Sequence, residues 1–242
     1  MTTRFITNQG KLLSDVVNNI LPSANQLYFL VGYFYFSGFQ ELYSQLKDKH
    51  VKILVGLEIE KDLHNRIKEY HIFHHQPISR GQIRDNYFHA LVDIFNETDF
   101  FDSPSQQEAF KLFLEKINNG TLEIRKTASS NHAKLYIFEN SPQHNQGGEF
   151  PGTVITGSSN LTRAGLRGQF EINVISREPA TYSEAIKIFN QLWNKSVAIV
   201  DSDTKDDFFE QVVSKTWLEQ LPKPEIISER THLYIPRPFS ES

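Results

Sequence analysis

The chain has 242 residues, of which 39% are hydrophobic and 22% charged, and a formal net charge of −4. That length suits one α/β domain and is too short for two full catalytic halves, and the acidic balance excludes a wholly basic nucleic-acid coat. Cysteine is absent, which excludes disulfides, thiolate nucleophiles and Cys-ligated zinc together, and no apolar run reaches the length of a membrane span.

Residues 1–10 lack the apolar stretch of a signal peptide, so the expected location is cytoplasmic. Leu27–Phe34 is an aromatic-rich apolar run and reads as a buried strand. Phe39, Leu42, Tyr43 and Leu46 then recur at the spacing of one helical face. Val51–Val55 is a second buried strand, so strand, helix and strand predict a parallel crossover unit. From Glu58 to Asp102 the pattern is weaker, with Ile83–Phe95 a candidate helix.

The next helix is better marked. Ser103 suits the N-cap, Pro104 the first helical position and Gln106 the far side of a capping box. Phe110, Phe113, Leu114 and Ile117 form its apolar stripe, and Asn119-Gly120 ends it. Strands are expected at Leu122–Lys126, Ala133–Phe138, Thr153–Thr156 and Phe170–Ile175, with a polar loop over Ser141–Gly152. Thr181 and Glu184 predict the start of a helix with Tyr182, Ile186, Phe189 and Trp193 along one side. A last helix is expected from about Lys205 to Leu221, with Phe209, Val212, Val213 and Trp217 inward. Four prolines in 222–242 and the lack of a helical period predict an extended tail. The expected organisation is therefore a domain over 1–221 followed by a linker-like segment over 222–242.

The residues able to do chemistry concentrate between Asn131 and Glu171. In a strand, alternate residues share a face, which would put His132, Lys134 and Tyr136 together. A phosphate bound there would meet a nucleophile and a counter-charge at once. His50-Val51-Lys52 has the same form, but no later partner follows it. Gly157-Ser158-Ser159-Asn160 comes after a short β-branched strand, and its hydroxyl and amide suit phosphate oxygens. Placed in the strand FEINVI, Glu171 would orient the His132 imidazole by accepting its Nδ1 proton; the alternative is a solvent-facing carboxylate paired with Arg163 or Arg167. Between Thr121 and Phe170 five cations outnumber three carboxylates, which makes Lys126, Arg163 and Arg167 candidate substrate-binding residues. His71, His74 and His75 form a histidine cluster without an ordered acidic partner, and it reads as a solvated loop rather than a metal site.

His132-x-Lys134, then Gly157-Ser158-x-Asn160, then Glu171 eleven residues after Asn160, resembles the signature of the phospholipase D superfamily. The string GSSNLTRAGLRGQFEINV is most similar to its domains in nuclease and helicase-linked proteins, and the resemblance spans Leu27 to Trp193. It implies an α/β fold, a mixed sheet flanked by helices, with one catalytic motif per chain. It further implies catalysis through a phosphohistidine on His132, with Lys134, Ser158 and Asn160 gripping the phosphoryl oxygens and no metal or cofactor. Two such motifs serve each active site in this superfamily, so a homodimer is implied. The family's aspartate falls at Glu139, a longer carboxylate expected to support the site, and the segment from Asn140 to Thr156 is longer than usual.

The expected activity is that of an endonuclease, with DNA favoured over RNA as partner and no membrane. A helicase or other domain beyond the C-terminus is a further expected partner. Two alternatives stay open: a non-catalytic nucleic-acid-binding module of a helicase-like or restriction protein, and a phospholipid hydrolase.

Overall fold

The computed structural model describes residues 5–34, 36–58, 79, 81–85, 88, 89, 92, 103–129 and 131–215. The expected histidine cluster at His71, His74 and His75, Trp217 and the 222–242 tail lie outside these residues. So does most of the stretch read as a helix over Ile83–Phe95, although 81–85, 88, 89 and 92 are helical.

Among the described residues, eight strands form one mixed sheet: β1 (Phe5–Ile6), β2 (Ala24–Tyr33), β3 (His50–Glu58), β4 (Leu122–Lys126), β5 (Leu135–Asn140), β6 (Gly152–Gly157), β7 (Asn173–Ser176) and β8 (Val197–Val200). Their spatial order is β1-β7-β6-β5-β2-β3-β4-β8. The centre, β2-β3-β4, is parallel, as the strand–helix–strand reading requires. The remaining pairings are antiparallel, with β5 facing opposite to both β2 and β6.

Helices cover both faces. Alternation along the strands sends Phe29, Val31, Ile53, Val55, Tyr136 and Phe138 to one side. There they meet α1 (Leu13–Ile20), α2 (Phe36–Leu42), α3 (Pro104–Asn118) and α4 (Lys205–Gln211) through the larger core cluster. Phe36, Phe39, Phe110 and Phe113 lock α2 to α3, with the rings of Phe36 and Phe110 4.9 Å apart and those of Phe39 and Phe113 at 5.3 Å. Leu30, Leu54, Ile137 and Val154 point the other way, onto Ala185, Phe189 and Trp193 of the helix Pro179–Lys195, denoted αC. The sheet is thus buried on both faces at its centre, which explains why β2 and β3 read as unbroken apolar runs.

Sequence signals placed α3 correctly. Ser103 Oγ accepts from Gln106 N, and Gln106 Oε1 accepts from Ser103 N at 3.1 Å, so the capping box forms. Elsewhere boundaries moved. αC starts at Pro179, two residues before Thr181, because proline takes its first turn and leaves Thr181 inside. α4 ends at Gln211, followed by a 3₁₀ turn over Val213–Lys215. β1, β8 and α1 escaped the reading; two of them are edge strands of four residues or fewer.

One buried charge holds the far edge of the sheet. Lys116 is fully buried on α3, and its ammonium donates to Lys49 O and, at 3.1 Å, to Thr121 Oγ1. Burial pushes its pKa down to about 8 from 10.5, against the opposing pull of Asp48 and Glu115. Between those two values the unfolded chain binds the extra proton, so this group's contribution to stability rises with pH across that window. Urea denaturation of wild type and Lys116→Met, compared from pH 7 to 11, should show the difference moving in favour of wild type as pH rises through the window. A pH-independent difference would sink this account of Lys116.

Candidate active site

β5 begins beside the ends of β2 and β6, and the candidate residues gather there. His132 and Lys134 precede β5 rather than belonging to it, since the strand starts at Leu135. Their placement comes from Asn131. Its N–H donates to Gly56 O at 3.3 Å, its side-chain amide donates to Thr127 Oγ1 at 3.0 Å, and its Oδ1 accepts from Ala133 N at 3.2 Å. Gly56 permits this approach, because a Cβ there would lie 2.3 Å from Asn131 O.

His132 is exposed, whereas Lys134 is buried and donates from Nζ to His132 O at 2.7 Å. Burial pulls the Lys134 pKa below the usual lysine value, and the charge of Glu171 pushes it back up. The side chains converge over Gly32, where the β2–β3 register shifts between Val31 and Tyr33. A methyl at Gly32 would sit 3.1 Å from His132 Cδ2, 3.2 Å from Asn160 Oδ1 and 3.4 Å from Lys134 Nζ. Imidazole, ammonium and amide therefore line one spot, and any side chain at Gly32 would have to push them aside.

The Gly-Ser-Ser-Asn turn is fixed from beneath. Tyr136, wholly buried in β5, donates its hydroxyl to Ser159 O at 2.9 Å. Ser159 is itself buried, and Asn173 brackets it with a donor to Ser159 Oγ at 2.9 Å and an acceptor for Ser159 N at 3.3 Å. Ser158 faces outward and donates from Oγ to Glu171 Oε2. Glu171 was expected inside a strand, but β7 begins at Asn173, so the carboxylate stands on the segment leading into it. It binds Ser158 and lies within electrostatic reach of Lys134.

The other candidates separate. Glu139 sits five residues further along the chain from Lys134, about 16 Å for an extended strand. There it accepts from Tyr28 Oη at 2.9 Å and Tyr182 Oη at 3.0 Å, tying αC to the sheet. Burial and this carboxylate push both phenols well above the ordinary tyrosine value. Arg163 and Arg167 pair with Glu41 of α2, at 2.8 and 3.0 Å, rather than with Glu171. Lys126 donates to Gly56 O at 3.2 Å, under the turn that carries Asn131. The second His-x-Lys is structural: Lys52 reaches Glu123 at 3.5 Å and lies over the Trp193 ring at 5.1 Å. In the polar loop, His144 Nδ1 is 2.8 Å from Ser141 Oγ.

The profile of the family described as "Cardiolipin synthase, PLD-like domain" matches residues 18–193, most of the chain. The chain belongs to the phospholipase D-like domain family. Among solved structures, this phospholipase D-like domain is similar to Nuc from Salmonella typhimurium, a phospholipase D family member. The identity is 15% and the TM-score 0.39, over 77% of this chain and 87% of that one. It is also similar to NucT from Helicobacter pylori, with 8% identity and a TM-score of 0.41 over 80% and 96% of the two chains. A polyphosphate kinase from Porphyromonas gingivalis gives 11% identity and a TM-score of 0.42 over 83% of this chain and 26% of that one. No curated protein matches.

Gly32, Gly56, Asn131 and Glu41 were not singled out in the sequence. A glycine inside the apolar run Leu27–Phe34 was the available sign for Gly32. The phospholipase D-like domain also depends on Tyr136 more than alternation suggested. Tyr136→Phe keeps the ring packing with Phe29 but leaves a buried carbonyl unpaired. It should lower stability by about 1–3 kcal/mol in chemical denaturation; a change within about 0.5 kcal/mol would mean that the bond does not hold the turn.

Proposed function

We propose that this domain is a metal-independent phosphodiesterase, an endonuclease in which His132 is the nucleophile. The observation that carries the reading is the convergence of His132, Lys134 and Asn160 over Gly32. An imidazole nitrogen attacks phosphorus, forming a P–N bond as the P–O bond to the leaving alcohol breaks. A second histidine gives that alcohol its proton, then takes one from the water that cleaves the P–N bond and regenerates His132. Lys134 supplies positive charge from a site already dry, where it acts more strongly than in water. Asn160 and Ser158 add neutral donors, and Glu171 keeps Ser158 oriented and Lys134 protonated.

The second histidine comes from a second copy of the chain. His50 is no substitute, because it begins β3, roughly 20 Å along an extended strand from Gly56 at the site. Phe170 and Ile172, on either side of Glu171, are exposed, and Phe5 on the neighbouring edge strand is 60% exposed. Such an apolar rim beside a half-built site suits a two-fold contact. Nucleic acid is the favoured substrate because the cations flanking the motif, Arg163 and Arg167, are exposed on the side of the turn after Asn160.

With chelator present, the wild type should cut labelled single- or double-stranded DNA or RNA. His132→Ala should lose at least about 10³-fold of that rate. Binding without cleavage by the wild type would replace the enzyme with a nucleic-acid-binding module. The pH profile carries a second test. Because Glu171 opposes the fall in the Lys134 pKa, Glu171→Gln should move the alkaline limb of the activity profile to lower pH. A limb that stays in place or moves upward would separate Glu171 from Lys134.

A further inference from the structure

Beyond Asn160 the chain does not leave the site at once. Leu161 bridges to Phe34, and residues Ala164–Gly168 close a π-helical turn that packs on α1 and reaches Glu41 of α2 through Arg167. Between this turn and α2 lies a cleft of about 680 Å³ lined by Ser37, Thr162, Arg163, Ala164, Arg167 and Gly168. Its two arginines are not loose surface cations. Glu41, nearly buried on α2, accepts from Arg163 Nε at 2.8 Å and from Arg167 Nη1 at 3.0 Å. Each guanidinium has five donor hydrogens, so these ion pairs orient both groups while leaving most of their donors for another partner. Both stay solvent-facing, with side-chain exposures of 67% and 48%. Two guanidinium groups against one carboxylate leave a net charge of +1, which matches one phosphodiester.

The position along the chain matters as much as the charge. Thr162 N donates to Asn160 O at 2.9 Å, and a Cβ on Gly165 would lie 2.5 Å from that same oxygen. The arginine cleft is therefore built on the backbone of a residue that faces the nucleophile. The cleft thus begins two residues along the chain from Asn160, whose side chain faces Gly32. We propose that the Ser37–Arg163–Arg167 cleft is a subsite for the phosphate neighbouring the scissile one in a nucleic-acid strand, with Glu41 as the residue that positions both arginines. The proposal rests on the phosphodiesterase reading above and adds to it a preference for polymeric substrate.

The test measures binding and turnover separately. In the His132→Ala background, affinity for a labelled oligothymidylate is followed against salt concentration, alone and with Arg163→Gln plus Arg167→Gln. Losing one phosphate contact should reduce the slope of log affinity against log salt by about 0.7 for a single strand. In the His132-containing protein, kcat/KM is compared for bis(p-nitrophenyl) phosphate, which has one phosphate, and for the oligothymidylate. The double variant should lower the ratio of oligonucleotide to single-diester activity about tenfold, and thermal melting confirms that it folds. Unchanged slope and unchanged ratio would overturn the subsite and leave the phosphodiesterase intact. If the His132→Ala protein binds no oligonucleotide and the wild type cuts only the single diester, the nucleic-acid reading fails and the subsite falls with it.

Discussion

In an antiparallel pair the start of one strand lies beside the end of its neighbour, and β5 is antiparallel to both strands that flank it. The pairing of Leu30 with Leu135 and of Leu135 with Thr156 sets three chain segments side by side. Gly32 leaves β2 there, His132 and Lys134 enter β5, and the Gly-Ser-Ser-Asn turn leaves β6. No segment needs a long loop to reach the site. Were β5 parallel to either neighbour, that neighbour's contribution would lie at the opposite end of the strands. The parallel half does a different task. It buries β2 and β3 on both faces, so that the strand ends carrying the candidate site are fixed to a packed centre.

Two lysines show how burial can serve different ends. Lys116 and Lys134 both give a hydrogen bond to a main-chain carbonyl and both have pKa values depressed by burial. Lys116 spends its donors within the protein, on Lys49 O and Thr121 Oγ1, and stitches a loop to the end of α3. Lys134 stands next to an exposed imidazole and within reach of Glu171, so its charge is aimed at an open position. The difference lies in what surrounds the ammonium rather than in how deeply it is buried.

The sequence made some of this readable and hid the rest for physical reasons. The α3 capping box was legible because it is local: Ser103 and Gln106 satisfy each other's backbone groups whatever the rest of the fold does. That His132, Lys134 and Asn160 would come together, with Ser158 beside Glu171, was legible from their order and spacing. Strand limits were not. β5 begins two residues and β7 three residues later than expected, because Ala133 N bonds to Asn131 Oδ1 and Ile172 exchanges hydrogen bonds with Ser158 of the turn instead of with a neighbouring strand. The arginine partners were missed because Glu41 lies more than a hundred residues away in the chain. Glycine gave little away, since the value of Gly32 depends on side chains that approach it from two other segments.

One small contact at the N-terminal edge reaches far. Asn8, with a backbone φ of 58°, donates its side-chain amide to Gly165 O at 2.9 Å and to Gln169 O at 3.1 Å, while its Oδ1 accepts from Leu13 N at 2.8 Å. β1, just before it, pairs with β7 at a separation of 169 residues, Phe5 to Val174. Contacts spanning so much chain close slowly. During synthesis, helix α1 and the parallel strands can be complete while this clasp still waits for the turn after Asn160 to emerge. The clasp over the candidate site thus forms only after most of the sheet has been made, with αC and β8 following later still, and a nascent chain stalled before Val174 would lack the clasp, the cover of the second face and the last edge strand together.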